Sequence, residues 1–311
     1  MQYGFGVDIG GTTVKIACFD RKGGLLSKWE IPTRREDGGG KILPDVAAAI
    51  TAFLQEQSLS PQQIIGIGVG VPGAVEPDGT VNRCVNLGWG RVDICKDLQT
   101  LTGFPVKAGN DATVAALGEC WMGGGKGFRN MMLVTLGTGV GGGIVIDGKV
   151  LPGAHGAAGE IGHMTVNREE TEICTCGKRG CAEQYCSATG IVRVAKKYLK
   201  NTEESSVLRG NANFSCKDVF DAAAAGDGSA NQILEQVYAY LGQCIAGACC
   251  VIDPEVVVLG GGVSRAGQPL LDGVSRYFAS YCFHACKDTQ FALATLGNDA
   301  GIYGAFKLLL D

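Results

Sequence analysis

The sequence predicts an α/β protein built as two similar domains that face each other across a cleft. Two observations favour this fold class. A strand, a Gly/Thr turn and a second strand follow one another near the start of the chain and again halfway along it. Each half later has a helical segment that leads into an apolar strand with glycines at its exit. Strands that alternate with helices are typical of sheets covered by helices.

The first half begins with three short apolar strands, and the turn at residues 10–13 separates the first two. An apolar run later ends in Pro72-Gly73, a pair that terminates a strand in a turn. The elements predicted here are strands at 3–8, 14–19 and 25–31, a helix at about 40–56, apolar runs at 64–71 and 104–108, and a helix at 112–121.

The second half repeats this plan around the turn at residues 137–142. We expect the N-terminal domain to comprise residues 1–112 with a helix at about 298–311, and the larger C-terminal domain to comprise 113–297. The elements predicted here are strands at 131–136 and 143–146, a polar surface loop at 201–213, a helix at 233–252, a strand at 256–259 and a helix at 300–310.

Composition and charge narrow the class of function. The chain has 311 residues and a net charge of −4, and an acidic chain is poorly suited to neutralising the phosphates of nucleic acid. The first residues do not resemble a signal peptide, and no apolar run reaches the roughly 18–20 residues of a membrane span. We therefore expect a cytoplasmic protein. Most of its 14 cysteines are then expected to be small buried hydrophobes, such as Cys18, Cys244, Cys249 and Cys250.

Two glycine turns have the composition of phosphate-binding loops. In each, glycines let backbone N–H groups approach an anion, and threonine hydroxyls add donors. Asp8 precedes the first turn and could hold Mg²⁺ through water. Ordinary hairpin turns are the alternative for either turn alone. Neither turn matches the P-loop or a Rossmann fingerprint, which argues against an ordinary dehydrogenase.

Three cysteines within eight residues predict a metal site. They are Cys174, Cys176 and Cys181; Gly177 and Gly180 lie between the last two, and His163 lies upstream. Three thiolates and an imidazole suit tetrahedral Zn²⁺ with no open position, which indicates a structural site. Cys186 is an alternative fourth ligand, and unligated cysteines are a further alternative. A nucleic-acid zinc module fits the spacing as well, but no basic helix follows it.

Carboxylates flank this segment. Glu160 and Glu183 could accept hydrogen bonds from several sugar hydroxyls, and a set of buried acceptors would also give specificity. Surface carboxylates are the alternative. Asn110-Asp111 precedes a predicted helix, so Asp111 is either a helix N-cap or a catalytic base.

These motifs together resemble the ROK family within the actin-like sugar kinases, from residue 6 to about residue 305. Residues 8–12 and 137–141 are similar to its two phosphate motifs, and 259–262 to its nucleoside turn. The segment 155–163 with the Cys-x-Cys-Gly-x-x-Gly-Cys stretch is similar to its zinc signature. The resemblance implies two actin-like, ribonuclease H-like domains, an ATP-dependent hexose kinase with Mg²⁺ and structural Zn²⁺, and a homodimer.

The resemblance also implies residue roles. Asp111 would be the catalytic base, and His163, Cys174, Cys176 and Cys181 would bind zinc. The sugar-binding residues would be Gly73, Asn86, Asn110, Asp111, Glu160, His163 and Glu183. The nucleotide-binding residues would be Asp8, Gly10, Gly11, Thr12, Thr13, Lys15, Gly137, Thr138, Gly139, Val140, Gly260, Gly261 and Gly262.

Within the family, Asn86-Leu87-Gly88-Trp89 resembles the glucokinase pattern, which implies glucose as the substrate and its 6-hydroxyl as the acceptor. Kinases of fructose, allose, N-acetylglucosamine or N-acetylmannosamine are alternatives, as is a sugar-sensing regulator without a DNA-binding domain. Repressors of the family carry a helix-turn-helix domain ahead of the first phosphate motif, and because this motif begins at Asp8 here, we expect no such domain. Gly109 replaces the glutamate of many relatives, and we expect no loss of chemistry from it.

Overall fold

A computed structural model describes residues 1–310 and has a mixed α/β fold with two five-stranded sheets. The strands are β1 (Tyr3–Ile9), β2 (Thr13–Asp20), β3 (Leu25–Pro32), β4 (Ile64–Val71), β5 (Thr80–Val81), β6 (Val92–Asp93), β7 (Val106–Asn110), β8 (Met131–Leu136), β9 (Val140–Ile146), β10 (Lys149–Val150), β11 (Val256–Gly260) and β12 (Gln290–Leu293). The helices are α1 (Ile42–Glu56), α2 (Ile94–Thr102), α3 (Asp111–Met122), α4 (Glu183–Cys186), α5 (Ala188–Asn201), α6 (Cys216–Ala224), α7 (Gly228–Ile252), α8 (Gln268–Tyr281) and α9 (Ala300–Leu308).

The described chain divides into two compact units. Unit 1 comprises Met1–Arg129, Gly143–Ala158 and the chain from Leu296 onward, and unit 2 comprises Asn130–Gly142 and Gly159–Thr295. The domain boundaries predicted from the sequence, 1–112 with about 298–311 and then 113–297, stay a prediction.

The first sheet has the order β3-β2-β1-β4-β7. The pairs β1–β2 and β2–β3 are antiparallel, whereas β1, β4 and β7 run parallel. One face of the sheet is apolar and contributes to a core with α1 and α2, which includes Val7, Val69, Ile50 and Leu98.

On the opposite face of this sheet, β1 and β4 present glycines, and α9 lies directly on them. Glycines alternate with buried apolar residues along β4, as the two-residue period of a strand requires. A Cβ on Gly68 would lie only 1.7 Å from the carbonyl oxygen of Ala305 in α9. The helix backbone therefore packs against the strand backbone, and this contact holds β1 and β4 in place.

The second sheet has the order β10-β9-β8-β11-β12, with β8, β11 and β12 parallel. In unit 2, apolar residues of β8 and β11 form one core with α5, α6, α7 and α8. The centre of this core includes Val134, Leu259, Ile191, Leu241 and Val274.

The predicted strands at 3–8, 14–19, 25–31 and 131–136 and the helices at 40–56 and 300–310 are confirmed to within a few residues. The second glycine turn is shorter than predicted, because β9 already begins at Val140. Helix α7 begins at Gly228 rather than 233, because the Asp227 side chain caps it by accepting from the Ala230 N–H. The predicted loop at 201–213 is mostly exposed, but it contains a short 3-10 helix, Val207–Gly210, that buries Leu208.

One prediction on the cysteines was wrong. Cys18, Cys244 and Cys249 are buried as expected, whereas Cys250 is exposed. Successive residues of a helix point about 100° apart, so a residue next to buried Cys249 can face solvent. Within residues 1–310, no helix combines the length and the hydropathy that crossing a membrane would require.

Candidate functional site

Parallel pairing brings three predicted site segments of unit 1 to one edge of the first sheet. Asp8 pairs in register with Gly70, and Gly70 pairs with Gly109, so the carboxyl ends of β1, β4 and β7 lie side by side. Ligands of α/β sheets bind at such edges. The sheet therefore places Asp8, the Pro72-Gly73 turn after β4, and Asn110-Asp111 together.

Asn110 and Asp111 form the junction between β7 and α3. The N-cap is Asn110, whose Oδ1 accepts from the Thr113 N–H at 3.1 Å, so the alternative that Asp111 is the cap was wrong. Asn110 Nδ2 donates to the Gly73 carbonyl at 3.0 Å and to Asp111 Oδ1 at 3.0 Å. Asp111 Oδ1 also accepts from the Ala112 N–H at 2.8 Å. The carboxylate of Asp111 is thus fixed in orientation by its own helix and by Asn110.

The charge on Asp8 depends on its buried position. Burial raises its pKa to about 6, the nearby Lys15 opposes this shift, and the negative charge of Asp111 adds to it. Lys15 Nζ donates to the Asn298 carbonyl at 2.7 Å, which holds the ammonium group close to this edge. A cation bound beside Asp8 would therefore stabilise the charged form of its carboxylate.

The first glycine turn is held by hydrogen bonds from Thr33, a residue that the sequence analysis did not identify. Within the turn, the Gly10 N–H donates to the Thr13 carbonyl at 3.0 Å. Thr33, just after β3, donates its N–H to the Thr12 carbonyl at 2.9 Å and its hydroxyl to the Gly10 carbonyl at 2.7 Å. Gly11 lies beside Asn86, because a Cβ at Gly11 would be 3.6 Å from the Asn86 carbonyl oxygen.

The second glycine turn, in unit 2, is held by the start of α5. The Gly137 N–H donates to the Gly139 carbonyl at 2.9 Å, which closes the turn. The Ala188 N–H donates to the Gly137 carbonyl at 2.8 Å, and the Thr189 hydroxyl donates to the Thr138 carbonyl at 2.8 Å. Two carbonyls of the turn are therefore directed to α5.

The predicted nucleoside turn at residues 260–262 lies next to the second glycine turn. Gly261 has φ +83°, and a Cβ there would be 2.5 Å from the Leu136 carbonyl at the end of β8. Beside it is a cavity of about 340 Å³ whose lining includes Ala188 and Gly262. Phe220 and Arg265 also line it, and no sequence motif marks them. The cavity thus extends from Ala188, which donates to the predicted phosphate turn, to Gly262 in the predicted nucleoside turn.

The predicted zinc ligands are together. The ligand atoms of His163, Cys174, Cys176 and Cys181 all lie within 4.8 Å of one another. The Sγ atoms of Cys176 and Cys181 are 3.6 Å apart, and Cys174 Sγ is 3.9 Å from His163 Nδ1. Ligands at Zn–S distances of about 2.3 Å around a tetrahedral ion would be about 3.8 Å apart, so the set fits zinc. Cys186 is not in this group, and its thiol lies 3.9 Å from the Val237 carbonyl in the core.

Two predicted sugar-binding carboxylates adjoin the cluster. The Nδ1 of His163 faces the thiols, while its Nε2 is 4.0 Å from Glu160 Oε2 on an exposed side chain. Glu183 Oε1 accepts from the Thr175 hydroxyl at 3.2 Å, and its Oε2 accepts from the Val140 N–H at 3.0 Å. Glu183 therefore connects the cysteine loop with the second glycine turn, a contact that the sequence did not indicate.

An ion-pair cluster around the buried Glu170 side chain connects the segment before the cysteine loop to α5. Glu170 accepts from Arg193, from Lys197 and from the Tyr185 hydroxyl, the last at 2.6 Å. Burial raises the pKa of Glu170, but the hydrogen bonds from Arg193 and Tyr185 outweigh burial and hold this pKa below its usual range. Arg193 and Lys197 are four residues apart on one helix face, and this spacing is the sequence feature that could have indicated an anionic partner.

Comparison with known proteins identifies relatives along the whole chain. Residues 4–311 match the sequence model of the ROK family. A glucokinase of Halalkalibacterium halodurans is 45% identical over 96% of this chain and 92% of its own length. A glucokinase of Thermotoga maritima is 34% identical over 98% and 96%. The crystal structure of a ROK family glucokinase of Streptomyces griseus with glucose and AMPPNP is 31% identical, has a TM-score of 0.73 and covers 98% of both chains.

Replacement of Asp8 should stabilise the protein in a pH-dependent manner. Its ordinary pKa is 3.8 and its folded pKa is about 6, so the unfolded chain loses this proton first as pH rises and stability falls across that window. Above pH 6 the buried charge of Asp8 lowers the free energy of unfolding by on the order of 3 kcal/mol. Asp8→Asn does not titrate, so its gain in Tm over the wild type should be larger at pH 8 than at pH 5 in thermal unfolding without nucleotide.

Asp97→Asn is the control, because Asp97 is exposed on α2. Its Tm at pH 5 and at pH 8 measures the effect of removing a surface carboxylate. A gain for Asp8→Asn that is the same at pH 5 and pH 8 would contradict the account of the Asp8 environment.

Proposed function

The chain belongs to the ROK family, and we propose that it is a glucokinase that transfers the γ-phosphoryl group of ATP to the 6-hydroxyl of glucose. The observation that carries this proposal is the convergence of Asp8, Gly73 and Asn110-Asp111 at one sheet edge, in a chain 45% identical to a glucokinase. Phosphoryl transfer requires mainly positioning and charge stabilisation, and rigid backbone turns and a fixed carboxylate provide both.

ATP binding is supported in unit 2 by the adjacency of two turns. The turn at 137–139 offers backbone donors to phosphates, and Gly260, Gly261 and Gly262 lie beside it. The cavity lined by Phe220 and Arg265 has room for the base and ribose. Residues 10–13 and Lys15 are proposed, from the family resemblance, as further donors to phosphate. When bound with ATP, Mg²⁺ would neutralise phosphate charge, and Asp8 would hold it through water.

Asp111 is the proposed general base. Its carboxylate accepts the proton of the sugar 6-hydroxyl as that oxygen attacks the γ-phosphorus in line, and ADP departs with the electron pair of the broken P–O bond. The hydrogen bonds from Ala112 and Asn110 to Oδ1 orient the carboxylate for this transfer.

Sugar contacts are proposed for two groups of residues, as the family resemblance implies. The first group comprises Gly73, Asn86, Asn110 and Asp111. The second group comprises Glu160, His163 and Glu183. The hydrogen bond between Asn110 and Gly73 and the position of Asn86 beside Gly11 support the first group. The homodimer and a role in glycolysis belong to this proposal and rest on the resemblance, and the cytoplasmic location expected from the sequence belongs to it as well.

The proposed zinc site has a structural role. His163, Cys174, Cys176 and Cys181 would hold the ion with no open position, so it would fix the loop and supply no reactive group. Because His163 Nε2 faces Glu160, fixing the imidazole would also orient the side chains proposed to bind the sugar.

Asp111→Asn should fold and bind glucose but lose at least about 100-fold in kcat, because the amide cannot accept the proton. Formation of glucose 6-phosphate in a coupled assay measures the turnover, and calorimetry measures glucose binding. Asp288→Asn, at an exposed position, is the control and should keep full turnover. Turnover of Asp111→Asn within a few-fold of the wild type would remove Asp111 as the base.

Cys181→Ala should remove zinc from the protein, whereas Cys186→Ala should retain about one zinc per chain. Cys181 belongs to the four-residue cluster, while Cys186 packs in the core away from it. Metal analysis of the purified proteins distinguishes the two variants. Zinc absent from the wild type would refute the site, and zinc lost from Cys186→Ala as well as from Cys181→Ala would make Cys186 the fourth ligand in place of His163.

A further inference from the structure

The Glu183 carboxylate joins two segments of unit 2 that have different proposed tasks. One oxygen accepts from the Val140 N–H at the end of the second glycine turn, at 3.0 Å. The other accepts from the Thr175 hydroxyl in the cysteine loop, at 3.2 Å. The carboxylate also fills the space beside Gly139, where a Cβ would be 2.3 Å from Oε2.

The contact with Glu183 sets the backbone position at the end of the second glycine turn that α5 does not hold. The carbonyls of Gly137 and Thr138 are fixed by α5 through Ala188 and Thr189. At the other end of the turn, the Glu183 contact with Val140 and Gly139 sets the backbone position. A shift of the carboxylate would therefore move the backbone donors that face phosphate.

Thr175 controls where the carboxylate lies. It stands between two proposed zinc ligands, and its Oγ1 is 3.8 Å from Cys174 Sγ, so the cysteine loop sets the direction of the hydroxyl. The hydrogen bond between the Thr175 hydroxyl and Glu183 Oε1 is exposed to solvent, so water can replace the hydroxyl when a methyl group takes its place.

A sugar can bind this carboxylate without breaking either hydrogen bond. An ionised carboxylate has about four acceptor positions; Val140 and Thr175 use two of them, and Cys174 Sγ is 4.0 Å from Oε1, which leaves a position for a sugar hydroxyl. We propose that sugar hydroxyls on Glu183 fix it against the turn and so raise the affinity for nucleotide, with Thr175 as the positioning residue. This inference rests on the proposed function and adds to it a coupling between the two substrates.

The expected consequence is reciprocal positive cooperativity. A sugar that immobilises Glu183 removes part of the ordering cost that nucleotide binding otherwise carries. Couplings of this kind amount to about 5–150-fold in affinity. We expect the Kd of AMPPNP with Mg²⁺ to fall at least about fivefold when glucose is saturating.

Calorimetric titration of AMPPNP with Mg²⁺, with and without saturating glucose, tests the coupling. In Thr175→Val the ratio of the two Kd values should approach one, while metal analysis shows the same zinc content as the wild type. Thr189→Val is the matched control, because it loses a bond to the turn at Thr138 but none to Glu183. It should weaken nucleotide binding equally in both titrations and keep the wild-type ratio.

A Thr175→Val ratio equal to the wild-type ratio would overturn the coupling through Glu183, as would a wild-type ratio of one in a protein that phosphorylates glucose. A ratio lost equally in Thr189→Val would also overturn it, because any weakening of the turn would then suffice. If the wild type phosphorylates no hexose, the proposed function fails and the coupling fails with it.

Discussion

The parallel register of β1, β4 and β7 is the constraint on which the candidate site of unit 1 depends. Because Asp8 stands opposite Gly70 and Gly70 opposite Gly109, β1, β4 and β7 all end at this edge. The end of each strand carries a proposed functional group. Glycines in β4 let α9 lie directly on this sheet, since a Cβ on Gly68 would be 1.7 Å from the Ala305 carbonyl oxygen. Part of the abundance of glycine in this sequence thus has a packing cause.

The same arrangement of strand ends recurs in unit 2. Strands β8 and β11 are parallel, and Gly260 stands opposite Thr135, so the turn after each strand leaves at one edge of the sheet. The proposed phosphate turn at 137–139 and the turn at 260–262 are neighbours for this reason. Side chains from α5 and α6 line a cavity beside the turn at 260–262.

Local sequence patterns predicted the strands, the glycine turns and the four-residue metal cluster, because spacing along the chain is enough to define them. Contacts between distant segments could not be predicted in this way. Val140 and Glu183 are 43 residues apart, and Glu170 and Arg193 are 23 apart. The support of the first turn by Thr33 and the lining of the nucleoside cavity by Phe220 depend equally on how elements pack. Cys250 shows that prediction is limited within a helix as well, because its apolar neighbours in the sequence did not reveal that it lies on the face exposed to solvent.

The measurement that tests the central claim most directly is a coupled kinase assay of the wild-type protein with ATP across glucose, fructose, allose, N-acetylglucosamine and N-acetylmannosamine. The account predicts ADP formation that depends on sugar, with the highest kcat/KM for glucose. Phosphorylation of none of these hexoses would contradict the assignment as a hexose kinase. A higher kcat/KM for another hexose would contradict glucose as its substrate.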